Sequence, residues 1–247
     1  MEAIGKGPPE PLILELKLRY GVEDFIETGT YYGDTAAWAA SHFDNVSTIE
    51  YSQEIHERAL ERHGNIQNIN FMFGDSRSVL KEVCSNLSRP AIFWLDSHWC
   101  GGHTWGEHDE CPLIEEINII NSSKVSHFLF IDDGRLFTSP PPQPHQIEQW
   151  PALVQVIETL MSGTHKYYVV IIEDVIISVP EYSKELVSTY CQEINTKAWI
   201  DYGKSMKESA TQKGSRLIGQ GLKLIARDLQ TRLLRLASEF IHKEKRG

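Results

Sequence analysis

The sequence is short of positive charge and of long apolar runs. Its 247 residues carry 24 Lys and Arg against 34 Asp and Glu, a formal net charge of −10. Because phosphate binding needs a basic surface, this balance argues against a nucleic-acid partner. No apolar run approaches the roughly 20 residues that a membrane-spanning helix needs, and the start, MEAIGKGPPEP, lacks the apolar core of a signal peptide. These absences predict a cytoplasmic protein.

Cysteine is also scarce. The chain has four, at irregular spacing: Cys84, Cys100, Cys111 and Cys191. A chain of this length can bury a full apolar core without covalent cross-links. We therefore interpret the four as reduced thiols and not as a disulfide framework.

What the chain does contain, from about residue 22 to 178, is an alternation of short β-branched or aromatic runs with longer helical stretches. The predicted strands are DFIET, VSTIE, INFMF, AIFWLD, HFLFID, YYVVII and VIISV. The predicted helices are DTAAWAASHF, SQEIHERALERH, SRSVLKEVCSNL with a cap at Ser76, PLIEEINIIN and WPALVQVIETLMS. This alternation predicts an α/β domain in which helices cover a parallel sheet.

Two stretches depart from the alternation. Only Glu173 and Asp174 separate the last two predicted strands, which predicts an antiparallel hairpin. After Asp133, the stretch GRLFTSPPPQPHQ is predicted to be a loop without helix, because its prolines remove backbone hydrogen-bond donors.

The charge is unevenly distributed along the chain. Residues 1–203 carry 13 Lys and Arg against 30 Asp and Glu, whereas residues 204–247 carry 11 against 4. Within this basic tail, apolar residues recur every three or four positions, at Ile218, Leu222, Ile225, Leu229, Leu233, Leu236 and Phe240. The pattern predicts an amphipathic helix that docks on a second subunit or on the protein's own body, or alternatively on a membrane surface. The predicted organisation is an N-terminal segment (1–21), a main domain (22–203) and a basic helical tail (204–247).

Glycines and acidic residues stand directly after the predicted strands, where open α/β sheets bind ligands. In FIETGTYYGDT, Gly29 and Gly33 permit a tight turn and a close approach of backbone to ligand. Glu50 follows the second strand, where a carboxylate can accept hydrogen bonds from a ribose diol. Asp75 follows the third, where it can accept one from an adenine amino group. The spacing is not the GxGxxG of dinucleotide-binding proteins, and the turn lacks the lysine of a P-loop.

In this order, these motifs resemble the S-adenosylmethionine site of class I methyltransferases. The turn ETGTYYGDT, with Tyr31 where many members carry a glycine, is similar to that of the metal-dependent catechol and caffeoyl-CoA O-methyltransferases. The resemblance implies a Rossmann-like sheet of seven mostly parallel strands that ends in a hairpin, with helices on both faces. It places the methionine part of the cofactor against Glu27 and the turn, the ribose at Glu50 and the adenine at Asp75. The implied cofactor-binding residues are Glu27, Thr28, Gly29, Thr30, Tyr31, Gly33, Glu50, Tyr51, Asp75, Ser76 and Asp96.

Three further carboxylates, those of Asp96, Asp132 and Asp133, follow the fourth and fifth strands. Unpaired like charges at neighbouring strand tips are costly, and a hard cation such as Mg²⁺ removes that cost. The same branch of the family places its metal ligands at these positions. The resemblance therefore implies Mg²⁺ bound by the three side chains, where it would lower the pKa of a substrate hydroxyl.

The catechol-type enzymes take their catalytic base from a lysine shortly after the fourth strand, and this chain has Cys100 there. His98 is the best local alternative, because imidazole titrates near neutral pH. The competing interpretation is a histidine that only structures the loop. We predict His98 and Asp96 as catalytic residues. Metal-dependent sugar O-methyltransferases are similar in using a histidine near this point, which favours a polyol acceptor.

The loop that carries His98 has two further interpretations. It contains Cys100, His103, His108 and Cys111, and clusters of this kind can bind zinc, although the spacing matches no standard closed site. The alternative is a mobile aromatic lid over the substrate, formed by Trp99, Gly101, Gly102, Trp105 and Gly106.

Together these features predict an S-adenosylmethionine-dependent methyltransferase that acts, with Mg²⁺, on a hydroxyl of a small polar acceptor such as a sugar or phenol. Two alternatives stay open. One is a non-catalytic cofactor-binding module that serves as a scaffold through its basic tail. The other is a nicotinamide-dependent oxidoreductase on the same fold, which the missing phosphate-binding glycine spacing disfavours.

Overall fold

The computed structural model describes residues 7–99, 101, 104, 106–207, 209 and 211–227. Among these residues, the strands are β1 (Asp24–Thr28), β2 (Asn45–Glu50), β3 (Ile69–Phe73), β4 (Ala91–Leu95), β5 (Phe128–Ile131), β6 (Tyr167–Ile172) and β7 (Val175–Pro180). The α-helices are α1 (Glu10–Tyr20), α2 (Asp34–Ala40), α3 (Gln53–His63), α4 (Ser76–Asn86), α5 (Leu113–Asn121), α6 (Arg135–Thr138), α7 (Leu153–Met161), α8 (Lys184–Lys207) and α9 (211–227). Single 3-10 turns lie at Ile147–Gln149 and Glu181–Ser183.

The strands form one sheet in the order β3-β2-β1-β4-β5-β7-β6. Strands β1 to β5 pair in parallel, and β7 runs antiparallel to both of its neighbours, β5 and β6. The predicted seven-stranded, mostly parallel sheet with a terminal hairpin is therefore confirmed in the described residues. The strand order reverses between β1 and β4, and ligands of open α/β sheets bind at such a point.

The central strands are buried on both faces. Every residue of β4 (AIFWL) and β5 (FLFI) is buried, as expected for parallel strands covered by helices. Helix α5 packs against them through Ile117 and Ile120, which are almost fully buried. This packing fixes the carboxyl ends of the central strands, where the predicted site residues lie.

Two local predictions are wrong. We predicted Ser76 as the cap of α4, but the cap is Asp75, whose backbone is still extended and whose carboxylate accepts a hydrogen bond from the Arg77 N–H at 2.8 Å. We also predicted no helix in GRLFTSPPPQPHQ, yet its first residues form α6. The run of prolines starts only at Pro140, so the four residues of α6 keep their backbone donors.

The chain divides into two compact units after Tyr190. The first contains the whole sheet. In the second, α9 exposes the apolar side chains of Leu217, Ile218, Leu222, Leu224 and Ile225. The other members of the predicted apolar stripe, Leu229, Leu233, Leu236 and Phe240, lie outside the described residues. Across the part of the chain that the structure describes, no helix has the length and apolar character needed to cross a membrane.

Candidate active site

A cleft of about 360 Å³ opens at the carboxyl ends of β1 to β4. Its size falls within the range of small-molecule sites, roughly 300–1,000 Å³. Several of the predicted cofactor-binding residues line it, namely Gly29, Tyr31, Glu50, Tyr51, Asp75, Ser76 and Asp96. The proposed base, His98, also lines this cleft.

The turn after β1 passes close to the tip of β4. Gly29 has a φ of +86°, and a Cβ at this position would lie 2.1 Å from the backbone oxygen of Asp96. Only glycine fits there, because any side chain would both clash with this carbonyl and require an unfavourable backbone conformation. The backbone N–H of Asp96 in turn donates to the Thr28 carbonyl at 3.0 Å, so the turn and the β4 tip are held together.

Glu50, the last residue of β2, is held by backbone groups. Its two carboxylate oxygens accept hydrogen bonds from the N–H of Tyr31 at 3.0 Å and of Ser52 at 2.8 Å. Burial raises the pKa of Glu50, and these hydrogen bonds oppose that rise. A carboxylate has about four lone-pair sites, so two bonds leave acceptor capacity for a ligand in the cleft.

Other predicted cofactor-binding residues lie beneath this surface. Glu27 is almost fully buried, and the Thr48 hydroxyl donates to its carboxylate at 2.6 Å. The hydroxyls of Thr48 and Thr30 are also 2.6 Å apart. Burial raises the pKa of Glu27 to about 8, so this side chain is mostly a neutral acid at pH 7.

None of Glu27, Thr28, Thr30 and Gly33 lines the described wall of the cleft. Thr28 and Thr30 are buried, and Gly33, with a φ of +76°, directly precedes α2 as its N-cap. The structure therefore separates the predicted set into residues that face the cleft and residues that support the turn.

Asp75 lies at the tip of β3, but its carboxylate is already occupied. Both oxygens accept hydrogen bonds from the Arg77 side chain, at 2.6 to 3.2 Å. This contact with Arg77 outweighs partial burial and lowers the pKa of Asp75. Arg77 also pairs with Asp109 at 2.6 Å. The ion pairs therefore fasten the loop after β4 to the start of α4, across one side of the cleft.

His98 connects the tips of β4 and β5. Its Nε2 lies 2.9 Å from a carboxylate oxygen of Asp133, and its Nδ1 lies 3.6 Å from one of Asp96. The ring is buried and packs edge-on against Trp150, with 5.4 Å between centroids. The predicted base is thus oriented by a carboxylate on one side and faces a second one on the other.

Asp174 is a site residue that the sequence analysis missed, and the contacts of Arg135 were missed as well. The Arg135 guanidinium bonds to the carboxylates of both Asp133 and Asp174. Asp174 lies in the turn between β6 and β7. The position of Asp174 directly after β6 was a usable signal. Because β6 runs parallel to β5, its carboxyl end lies at the same edge of the sheet as that of β5.

The acidic residues at these tips differ in their ionisation. Burial and neighbouring carboxylates raise the pKa values of Asp96 and Asp132, although His98 partly offsets the effect. Burial would also raise the pKa of Asp133, but the hydrogen bond from His98 and the Arg135 contact hold it below its usual range. Asp133 is therefore the anion around which the two basic side chains are arranged.

The three predicted Mg²⁺ ligands do not fit a metal site as they are arranged. Asp133 is bound by His98 and Arg135, and one oxygen of Asp132 accepts the N–H of Asp133 at 2.7 Å. Asp132 lines a separate cavity of about 370 Å³, not the cleft that contains Asp96. Within the described ranges, no group of three or more His, Cys, Asp or Glu side chains could hold a metal ion.

The zinc interpretation finds no support in the described residues either. Cys100 and His103 lie outside them. Burial raises the pKa of Cys111 to about 12, which opposes the thiolate form that binds zinc.

The loop after β4 is anchored by a buried acid, Glu110. Its carboxylate accepts hydrogen bonds from the Trp150 indole at 2.6 Å, from His145 at 2.9 Å and from the Gln146 N–H at 2.9 Å. The Trp99 N–H donates to the Glu110 carbonyl at 2.8 Å, and Trp99 itself is buried. Of the predicted aromatic lid, Gly102 and Trp105 lie outside the described residues. Sequence reasoning missed Glu110, because nothing in its local pattern marks it as a hub.

No family model matches this chain, and no curated protein matches it in sequence. Solved structures do resemble it. An O-methyltransferase from Bacillus cereus, in complex with S-adenosylhomocysteine, is 16% identical, with 72% of this chain and 83% of that chain covered and a TM-score of 0.50. A methyltransferase from Podospora anserina bound to S-adenosylhomocysteine is also 16% identical, with 68% and 75% covered and a TM-score of 0.49. The first likeness shows a shared Rossmann-like fold.

Proposed function

We propose that this chain is an S-adenosylmethionine-dependent methyltransferase that acts on a hydroxyl group of a small polar acceptor. The observation that carries the proposal is the pairing of Gly29 with Glu50 at the cleft. Gly29 has no side chain, so the turn can lie against the β4 tip. The carboxylate of Glu50 is oriented by the backbone N–H groups of Tyr31 and Ser52. This combination suits a nucleoside ligand, whose ribose hydroxyls need an oriented acceptor.

The residues that line the cleft fit this cofactor. Glu50 keeps lone pairs for the ribose hydroxyls, and the turn from Gly29 to Tyr31 supplies backbone close to the methionine part. The β3 tip, where Asp75 is paired with Arg77, forms the side of the cleft assigned to the adenine. When bound, S-adenosylmethionine supplies an electrophilic methyl group on a sulfonium centre.

His98 is the residue that we assign to the acceptor. It borders the cleft beside Asp96, and Asp133 orients its ring. In this role, His98 receives the proton that the acceptor hydroxyl loses as its oxygen gains the methyl group. The buried Trp150 ring against His98 limits the access of water to this side of the imidazole.

Binding measurements test the cofactor assignment. In calorimetry on the full chain, we expect S-adenosylmethionine and S-adenosylhomocysteine to bind and NAD⁺ to give no heat. Absence of binding at millimolar ligand would remove the assignment, and binding of NAD⁺ alone would favour the oxidoreductase alternative.

A screen of acceptors tests the reaction. Sugar, phenol and lipid-linked alcohols would each be incubated with S-adenosylmethionine, and S-adenosylhomocysteine formation would be measured. We expect turnover with at least one hydroxyl acceptor, and methylation only of thiols or amines would contradict the assigned acceptor class.

A further inference from the structure

The tips of β4, β5 and the turn between β6 and β7 bring four carboxylates together, and one arginine lies among them. The acids are Asp96, Asp132, Asp133 and Asp174. Like charges at this density are costly unless some of the acids are protonated or a cation compensates them. The described residues provide one within the protein itself, the guanidinium of Arg135.

Arg135 is built into this position by its backbone as well as its side chain. Its N–H donates to the Asp174 carboxylate at 2.9 Å, and the N–H of Gly134 donates to the Asp174 carbonyl at 2.7 Å. A Cβ on Gly134 would already lie 3.2 Å from that carbonyl oxygen, so the two segments are in close contact. Asp174 is also almost fully buried. The ion pair is therefore not an incidental contact of a long surface side chain.

The same contacts use both oxygens of Asp133. One oxygen bonds to Arg135, and the other lies 2.9 Å from the His98 ring. Both partners are basic side chains, so a Mg²⁺ ion at Asp133 would lie beside the positive charge of Arg135, and its near-octahedral oxygen ligands at about 2.0–2.1 Å would compete with both contacts. Asp132, the adjacent acid, lines a different cavity from Asp96.

We propose that the Arg135 guanidinium takes the place of a divalent cation at this edge of the sheet, and that Asp133 positions His98 instead of binding metal. Cofactor binding and methyl transfer are then independent of divalent metal. The part of this inference that concerns transfer rests on the proposed function, whereas the part that concerns metal binding does not.

Metal binding by the full chain is the first test. Free Mn²⁺ is followed by electron paramagnetic resonance while the wild-type protein is titrated with it, with and without S-adenosylhomocysteine. We expect no stoichiometric site, and the same S-adenosylhomocysteine affinity in EDTA as in Mg²⁺. A stoichiometric Mn²⁺ site that Asp133→Asn abolishes would overturn this proposal while leaving the methyltransferase assignment intact. Failure of S-adenosylhomocysteine to bind would instead remove the proposed function alone.

Removal of the guanidinium is the second test. Arg135→Met keeps the length of the side chain but removes the positive charge beside Asp133 and Asp174, so we expect it to gain Mn²⁺ binding. Arg135→Lys keeps the charge, and we expect it to gain none. Arg89→Met is a matched control, because Arg89 also bridges two acids, Glu23 and Asp24, at the opposite edge of the sheet.

Equal Mn²⁺ binding by the Arg135→Met and Arg89→Met variants would mean that any unpaired acids attract the ion, and would contradict a specific replacement. If Arg135→Met does not fold, the wild-type titration decides the metal claim without it.

The tautomer of His98 tests the positioning role. The ring-nitrogen chemical shifts of His98 report which nitrogen carries the proton, and we expect Nε2–H in the wild type because Asp133 accepts there. Asp133→Asn should change this pattern, whereas Asp132→Asn should not. Identical shifts in the wild type and Asp133→Asn would overturn the positioning role.

Discussion

The two halves of the candidate site hold their carboxylates by different means. At the tips of β1 and β2, backbone N–H groups of Tyr31 and Ser52 fix the carboxylate of Glu50. At the tips of β4 and β5, side chains do so, since His98 and Arg135 both contact Asp133. Backbone donors orient an anion without placing a cationic side chain on it, so it keeps its capacity to bind a ligand. A carboxylate shared between two basic side chains becomes part of the scaffold.

The two halves of the site therefore have different roles. The first half presents an oriented acceptor to the cleft. The second half is a network of charges that fixes the direction of the His98 imidazole, which lines the same cleft. Substitutions in the first half should therefore act on cofactor affinity, and those in the second on turnover.

The largest effect is expected from Gly29→Ala. The added Cβ would clash with the Asp96 backbone and demand an unfavourable φ, at a combined cost of about 3–5 kcal/mol. We expect the free energy of unfolding to fall by about this amount, and S-adenosylhomocysteine affinity in calorimetry to fall as well, because the turn must move away from the β4 tip. Gly21→Ala is the control, because Gly21 has a φ of +63° but no atom within 4 Å of its Cβ position. Equal losses at the two positions would contradict the close approach.

His98→Asn sharpens the division, since it should act on turnover. Loss of a general base typically costs about 100- to 10,000-fold in kcat, and we expect a much smaller change in S-adenosylhomocysteine affinity. The measurement is steady-state kinetics with whichever acceptor the screen identifies. His108→Asn, an exposed histidine of the same loop, should leave kcat unchanged. A variant of His98 that retained full kcat would leave the network without a catalytic role.

Glu50→Gln should act on binding alone. The amide replaces one acceptor oxygen by an NH₂ donor, so one of the two backbone N–H groups loses its partner. The ribose also loses an acceptor. Hydrogen bonds to charged groups contribute about 1.5–3 kcal/mol, so affinity should fall by about ten- to a hundredfold. Glu54→Gln, on the exposed side of α3, serves as the control in the same calorimetric titration. An unchanged S-adenosylhomocysteine affinity in Glu50→Gln would contradict the proposed role of Glu50 in binding the ribose.

The smallest functional effect is expected from Glu27→Gln, which should change the pH dependence of stability. The pKa of Glu27 is about 8 in the folded chain against an ordinary value of 4.5, so the fold favours its protonated form. Its contribution to stability is complete below about pH 4.5 and is lost as the pH rises through 8. The variant should therefore gain stability relative to the wild type between pH 5 and 8.5.

Urea unfolding of the wild type and of Glu27→Gln, at pH 5 and at pH 8.5, measures this change. One pKa unit corresponds to about 1.4 kcal/mol, so the difference in unfolding free energy between the two proteins should change by at least that amount. A difference that stayed constant with pH would show that the carboxyl of Glu27 is not protonated by burial.

Much of the fold was predictable because its signals are local. The alternation of apolar runs with helical stretches predicted the sheet, and the two residues between the last runs predicted the hairpin. The position of Glu50 at a strand end was enough to place it at the cleft. The burial of Glu27 was not predictable in the same way, because it depends on the hydroxyl of Thr48 in the neighbouring strand.

The sequence by itself determined which residues stand at the carboxyl ends of the strands, because strand length and turn chemistry are encoded over a few neighbouring positions. Only the tertiary structure decided which of those acids meet a cation. Arg135 and Asp174 are 39 residues apart, and their contact exists because β7 runs antiparallel beside β5 and returns the β6–β7 turn to the β5 tip. Charge compensation acts through space, so it follows the strand order of the folded sheet and not the order of residues along the chain.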